Sequence, residues 1–204
     1  DMQDVEFTVE EGTLWMLQTR RGKRTGRAAI RMAIDMLDEK LINEKDVVSR
    51  LAPNDLDEIM HPTLDSTIDI KHKFLGKGLP AGPGSAYGQL VFSSDDAEKW
   101  AHNNKLIVLL RDETSPEDVH GMHVAQAILT SRGGMTSHAA LIARGWGKCC
   151  VVGCSDLIID SKTKTVSINE QRLKEGDWVT VNGSTGNFYK GKLPLIQENL
   201  TINN

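Results

Sequence analysis

The chain has 204 residues, 39% hydrophobic and 25% charged, with 24 basic and 28 acidic side chains and a formal net charge of −4. This is the make-up of a folded globular protein, large enough for one domain or a domain plus a piece of another, and not of a disordered chain. The acidic balance argues against a phosphate-backbone binder, and 5% aromatics argues against a base-stacking platform, so no nucleic acid is expected as a partner.

No run of ~18 apolar residues is present, so no membrane span is expected. Residues 1–6 lack the apolar core of a secretory signal. The first residue is Asp1, and a fragment of a longer protein is expected. Residues 5–19 read as a hairpin: 5–9 alternates apolar and polar, part of 14–17 does the same, and Glu11-Gly12 supplies the turn. Two strands alone are marginal, so they are expected to belong to a sheet whose remainder is missing from this chain. Residues 25–62 read as helical. Ile30, Ala33, Ile34, Leu37 and Leu41 recur at three- and four-residue steps and form one apolar stripe. Asn43 and Pro53 mark breaks. A short helix over 56–60 is expected with Asn54 as its cap. His61-Pro62 ends it, because the residue before proline avoids the helical region.

Residues 75–84 are dense in glycine and proline and predict a new domain that opens in loops and turns. Strands are predicted at 89–92, 106–110, 125–129, 149–152, 165–168, 178–181 and 187–189. Ser115-Pro116-Glu117-Asp118 predicts a helix start, with a serine cap, proline at the first position and acids that suit the dipole. Another helix is predicted from Ser137 to Arg144, with Gly145 as its stop. The pattern is a mixed α/β domain with more strand than helix.

Cys149, Cys150 and Cys154 are an odd number within six positions, which is no disulfide framework and points to a reducing compartment. Adjacent strand residues face opposite ways and the C-x₂-C spacing is missing, so buried thiols are expected in preference to zinc. His120 and His123 are three apart, but Gly121 weakens a helix there, and a solvated pair is expected. Trp146 either packs the end of the helix that follows Ser137 or stands exposed for docking. His61, His72 and His102 have no interpretable context.

The stretch with the most chemistry is Thr130-Ser131-Arg132-Gly133-Gly134-Met135-Thr136-Ser137-His138-Ala139-Ala140. A strand end, two glycines that allow a sharp turn and close approach, and a Ser/Thr pair lead into a helix with His138 in its first turn. First-turn amides have no intrahelical partner and the dipole is positive there, which favours an anion, phosphate in particular. The same field biases the ring toward neutral imidazole, whose lone pair is nucleophilic. Thr136, Ser137 and Arg132 offer further contacts to a phosphoryl group. The same residues also suit a plain turn followed by a capping or packing histidine.

Gly133-Gly134-Met135-Thr136-Ser137-His138-Ala139-Ala140 resembles the phosphohistidine signature of enzymes that transfer phosphate through phosphoenolpyruvate. The sequel, 141–154 with its cysteines, resembles the pyruvate phosphate dikinase family in particular. Residues 78–88 resemble the turn-and-strand opening of that family's swivelling domain. Glu6-Phe7-Thr8-Val9-Glu10, Leu17-Gln18-Thr19-Arg20 and Gly22-Lys23-Arg24-Thr25 resemble the end of its ATP-grasp nucleotide domain. The resemblance covers nearly the whole chain.

It implies an α/β swivelling β/β/α phosphohistidine domain over 76–193, preceded by a β-hairpin and a helical linker. Residues 1–24 would be the remnant of the nucleotide domain, 25–75 the linker, and 194–204 the start of a linker to a (β/α)₈ barrel. His138 would be the phosphorylated residue, with Arg132, Gly133, Gly134, Thr136 and Ser137 supporting the phosphate loop. Glu6, Gln18 and Arg20 would line the ATP site, with Glu6 a ligand of Mg²⁺; alternatively Glu6 and Arg20 are paired or solvated strand-edge charges. ATP would give a pyrophosphorylated histidine, inorganic phosphate would remove the outer phosphoryl group as pyrophosphate, and the remaining phosphohistidine would convert pyruvate to phosphoenolpyruvate, with AMP released. The fragment alone is not expected to complete that reaction. Hinges would flank the domain near 62–77 and after Lys190. The partners implied are the nucleotide and barrel domains of the same parent chain, itself a homo-oligomer, in the cytoplasm or a reducing organelle and not secreted. In plant members the residue matching Thr136 is a regulatory kinase target; here a plain hydroxyl that hydrogen-bonds the loop or the phosphohistidine is the favoured reading. The alternatives are the matching domain of phosphoenolpyruvate synthase and a non-catalytic interaction module.

Overall fold

The computed structural model describes residues 3–22, 26–65 and 67–197. They divide into two compact units, residues 1–59 and 60–204. The expected domain boundary at 24/25 and the end of the expected linker, 198–204, lie outside the described residues.

In the first unit, β1 (Gln3–Glu10) and β2 (Thr13–Arg21) pair antiparallel. Glu11 (φ +48) and Gly12 (φ +77) make a two-residue turn whose twist matches that of a hairpin. The register slips between Glu6, which faces Gln18, and Phe7, which faces Met16, so Leu17 is a bulged residue. α1 (Gly26–Asp38) buries Ala29 and Ala33. Contrary to expectation, Leu41 is not on its stripe. Lys40 turns left-handed (φ +60), its N–H bonds Leu37 O, and the Leu41 N–H bonds Met36 O, both at 2.9 Å. That is a Schellman ending, and it leaves Leu41 65% exposed. α2 (Glu44–Arg50) opens on Asn43, whose side chain accepts the Asp46 N–H while Asp46 accepts the Asn43 N–H, each at 3.1 Å, a reciprocal cap. α3 (Pro53–Met60) starts earlier than expected. Pro53 takes the first helical position and Asp55 Oδ2 accepts the Ala52 N–H at 2.8 Å. Ala52 therefore holds the cap position and Asn54 lies inside the helix.

The second unit starts with β3 (Thr63–Leu64) and a 3-10 turn at Lys71–Lys73, followed by β4 (Phe74–Lys77), β5 (Leu79–Gly82) and β6 (Ser85–Val91). The glycine- and proline-dense stretch is thus strand, not loop. Its glycines permit close backbone approach: a Cβ on Gly82 would lie 2.0 Å from Lys148 O, and one on Gly88 2.6 Å from the Ile107 carbonyl carbon. α4 (Ser94–His102), unpredicted, is capped by Ser93 Oγ, which accepts the Asp96 N–H at 3.2 Å. After β7 (Ile107–Arg111), the Ser115-Pro116 signal opens a 3-10 turn, Pro116–Asp118, before α5 (Val119–Val124). β8 (Ala127–Thr130) starts later than predicted because the Ala125 N–H still closes α5 on Gly121 O at 3.1 Å. α6 (His138–Gly145) includes Gly145; the stop is Gly147 (φ +64), where the Lys148 N–H bonds Ala143 O at 2.8 Å. β9 (Cys149–Val152), β10 (Ile158–Asp160), β11 (Thr165–Ile168), β12 (Gln171–Lys174), β13 (Trp178–Asn182), β14 (Asn187–Lys190) and β15 (Leu195–Ile196) complete the described elements.

The main sheet has the order β4-β14-β13-β6-β7-β8-β9-β5. Its centre, β6 to β9, is parallel and its flanks are antiparallel. Strand alternation feeds two cores. Val108 and Leu110 pack with Val166, Ile168 and Leu173 of the small β10-β11-β12 sheet. Ile107 and Leu109 pack with Ala97, Met122, Ala139, Ala140 and Ala143 of the helices. The unit is therefore mixed α/β, with the main sheet between a smaller sheet and the helices. β3 pairs with β15 apart from it.

Candidate functional site

Parallel pairing aligns the C-terminal ends of β7, β8 and β9, so the loops that leave them meet, the usual place for a ligand in such sheets. The Ser131 N–H bonds Arg111 O at 3.1 Å, the Arg132 N–H bonds Asp112 O at 2.9 Å, and Ser131 Oγ donates to Asp112 Oδ1 at 2.7 Å. Thr130 Oγ1 donates to Arg132 O at 2.6 Å. Gly133 is left-handed (φ +95), where its lack of a side chain is needed. The chain then turns tightly, the Ser137 N–H bonding Gly134 O at 3.0 Å.

Ser137 caps α6, its Oγ accepting the Ala140 N–H at 3.4 Å. His138 is the first residue of that helix. By position, the His138 and Ala139 amides have no carbonyl four residues back to bond within it, and the dipole is positive there. The His138 ring is half-buried. Its Nδ1 lies 3.3 Å from the hydroxyl of buried Thr114. Nε2 has no protein partner among the described residues. The arrangement offers one ring nitrogen engaged, the other unengaged, and free amides beside it.

Of the supporting residues read from sequence, Gly133, Gly134 and Ser137 shape the loop as just described. Thr136 is exposed, and the Arg132 side chain is exposed without a partner among the described residues, so its backbone, not its charge, serves the loop. Two contributors were not anticipated. Thr114 comes from the neighbouring loop, and only the β7–β8 pairing reveals it. Arg144 donates to Met135 O; its place six residues after His138 was visible, but not its reach back over the loop.

In the first unit, Glu6, Gln18 and Arg20 do share a face of the hairpin. Glu6 faces Gln18, and Arg20 lies 3.7 Å from Glu6 and 3.4 Å from Asp4. These pairs are solvent-exposed and contribute about 1 kcal/mol or less. Among the described residues, no group of three His, Cys, Asp or Glu side chains is placed to hold a metal.

Cys149 and Cys150 face opposite cores, and these and Cys154 are free and buried. Burial pushes the Cys149 and Cys154 thiols up to about 12, and Cys150 is raised as well. His120 and His123 do share a helix, because Gly121 packs against Ser94, whose Cα would lie 2.5 Å from an added Cβ. They take separate partners: His120 Nε2 lies 3.3 Å from Asp95, and His123 packs edge-on to Trp146 at 5.4 Å. Trp146 follows α6 and is 40% exposed.

Residues 104–186 match the family of PEP-utilising enzyme mobile domains. Over 195 residues, 96% of this chain, the sequence is 52% identical to pyruvate, phosphate dikinase 2 of Oryza sativa subsp. japonica, of which it covers 22%. It is 53% identical over 192 residues to the chloroplastic pyruvate, phosphate dikinase of Flaveria pringlei, covering 94% of this chain and 20% of that protein. The resemblance read from the histidine motif is borne out, and the chain spans about a fifth of the length of these relatives.

Proposed function

We propose that this chain, half identical to about one fifth of the length of pyruvate, phosphate dikinases and matching PEP-utilising enzyme mobile domains over residues 104–186, is the phosphoryl-carrying part of such a dikinase. The overall reaction is ATP + pyruvate + phosphate → AMP + phosphoenolpyruvate + pyrophosphate. The observation that carries the reading is the His138 ring at the mouth of α6, with Nδ1 beside Thr114 Oγ1 and Nε2 unengaged. When Nδ1–H donates to Thr114, Nε2 keeps its lone pair and is the nucleophile. The pyrophosphoryl group is transferred to Nε2 as the bond to AMP breaks. Phosphate then takes the outer phosphoryl group as pyrophosphate, and pyruvate, as its enolate, takes the inner one. At the acceptor, the His138 and Ala139 amides and the Thr136 and Ser137 hydroxyls offset the charge that accumulates on phosphoryl oxygens.

Residues 76–193 act as the swivelling domain, 1–24 as the end of the ATP-grasp nucleotide domain and 25–75 as a helical linker, with 194–204 leading to the barrel. The hinges lie near 62–77 and after Lys190, where β3 and β15 run side by side. Glu6, Gln18 and Arg20 serve the ATP site once the rest of the nucleotide domain surrounds them. Mg²⁺ bound with ATP would neutralise phosphate charge there; Glu6 supplies one carboxylate, and such a set is completed by phosphate oxygens. At the exposed Thr136, an added phosphate would repel the incoming phosphoryl group. The parent chain acts as a homo-oligomer in a reducing compartment, cytoplasm or organelle.

His138→Asn in the parent protein tests the reading. Both half-reactions should be lost, the ATP- and phosphate-dependent release of AMP and the exchange between pyruvate and phosphoenolpyruvate. Retention of pyruvate-dependent turnover would remove His138 from the mechanism. AMP release that proceeds equally well without added phosphate would point to water as the acceptor of the outer phosphoryl group, and so to a synthase.

A further inference from the structure

We infer that Arg144 is a positioning residue for the acceptor turn, an inference that rests on His138 being the phosphorylated group. Gly134 to Ser137 form a β-turn closed by the bond from the Ser137 N–H to Gly134 O. In such a turn the peptide between the two central residues, here Met135 and Thr136, stands across the turn, and its carbonyl has no bond inside it. The Arg144 guanidinium reaches back from the second turn of α6 and donates to that carbonyl, Met135 O.

A trans peptide directs its C=O and N–H to opposite sides, and the described chain has no cis peptide. By holding Met135 O, Arg144 therefore also sets where the Thr136 N–H points. That N–H has no acceptor among the described residues. A second device acts in the same sense. Neither Met135 nor Thr136 has positive φ, and flipping the central peptide would demand positive φ at the second central residue. Thr136 is β-branched, which makes that conformation costly. One restraint blocks the flip and the other anchors the carbonyl. The preceding residues are tied to Arg111, Asp112 and Gly153 through backbone bonds, whereas the 135–136 peptide has the Arg144 bond as its one tie among the described residues. Arg144 thereby keeps an unpaired amide donor fixed two residues before the acceptor ring.

The test uses the full chain, phosphoramidate as a small phosphoryl donor, and amide NMR. Arg144→Ala should slow phosphohistidine formation about tenfold, the loss of one charge-assisted hydrogen bond, with the melting temperature unchanged. It should also displace the Thr136 amide resonance and abolish its response to phosphorylation. Arg144→Lys, which retains a charged donor, should recover most of the rate, whereas a merely structural role would show no such rescue. A folded Arg144→Ala chain with an unmoved Thr136 amide and an unchanged rate would overturn the inference. Should the alanine variant fail to fold, the same comparison between Arg144→Lys and Arg144→Gln decides. Wild-type chain that takes no phosphate on His138 counts against the carrier reading instead. The Thr136 amide of the unphosphorylated chain still judges Arg144.

Discussion

Thr114→Val isolates the contact on the ring proposed as the phosphoryl acceptor. Valine has the outline of threonine, and the site is only 5% exposed, so packing is kept and a hydroxyl is lost. That hydroxyl sits 3.3 Å from His138 Nδ1, a long bond between neutral groups, worth about 1 kcal/mol. A cost of that size in the transition state is about a fivefold rate effect. The bond orients the ring, and when Thr114 Oγ1 accepts the Nδ1–H it also favours the tautomer that leaves the Nε2 lone pair nucleophilic. With valine, the tautomer that carries its lone pair on Nδ1 gains population. Phosphohistidine formation from phosphoramidate should slow about fivefold, and ³¹P NMR should show Nδ1-phosphorylated product beside the Nε2 product. A folded Thr114→Val chain that keeps the wild-type rate and gives Nε2 product alone would refute the argument.

Gly88→Ala should cost at least about 2 kcal/mol, read as a fall in melting temperature of roughly 4–8 °C, because its Cβ would press on the Ile107 backbone at 2.6 Å. Gly134→Ala, with nothing within 4 Å of the added Cβ, should leave stability unchanged; equal losses in the two variants would contradict the packing reading. Burial pushes the Asp118 carboxyl up, but hydrogen bonds from Ser94 and Ser115 and the Arg111 charge outweigh it and hold it below its usual 3.8. The stability this contributes is fully present above pH 3.8 and fades as pH falls through the lower folded value. Acid unfolding of Asp118→Asn should accordingly lose part of its pH dependence below 3.8, and an identical acid profile would show that the carboxyl is not so held. Cys149 and Cys154, raised to about 12, should resist a thiol reagent at pH 8 in the native chain and react at once in denaturant; rapid native labelling would show that these thiols are not sealed in the core.

The parts of the fold that could be read in advance are those where one short segment decides its own structure. The hairpin turn at Glu11-Gly12 needs two left-handed residues, and the strands β9 and β11 are, apart from Ser167, runs of β-branched, cysteine and apolar residues bounded by turn formers. Their limits in the structure coincide with those the sequence predicts. Failures came where tertiary contact overrides local chemistry. Gly82 and Gly88 look like punctuation, yet they are strand residues that a side chain would expel from the sheet. Gly121 looks like a helix breaker, yet it lets α5 lie against Ser94. At the site, the cap and the glycine turn were legible because they are local to 133–138. Thr114 was not, because 24 residues separate it from His138 and only the pairing of β7 with β8 brings them together.

Among the described residues, the groups around the His138 ring lie between Arg111 and Cys154: Thr114 on Nδ1, Ser137 on the helix cap, Asp112 under Ser131, Arg144 on the turn. Asp112 and Thr114 follow β7, Ser137 caps α6 and Arg144 lies on it; the inner faces of β7, β8, β9 and α6 are sealed in two apolar cores. An acceptor that must serve two distant sites gains from this arrangement. Were ring orientation or tautomer supplied by a partner domain, each docking would have to rebuild it, and the two sites could demand different states. In the proposed carrier role this geometry, internal to one unit, would travel with it, and a partner site would need to add only charge neutralisation and exclusion of water. The half-buried ring fits that division of labour: it is covered enough to be held by its own domain, and open enough to be completed by another.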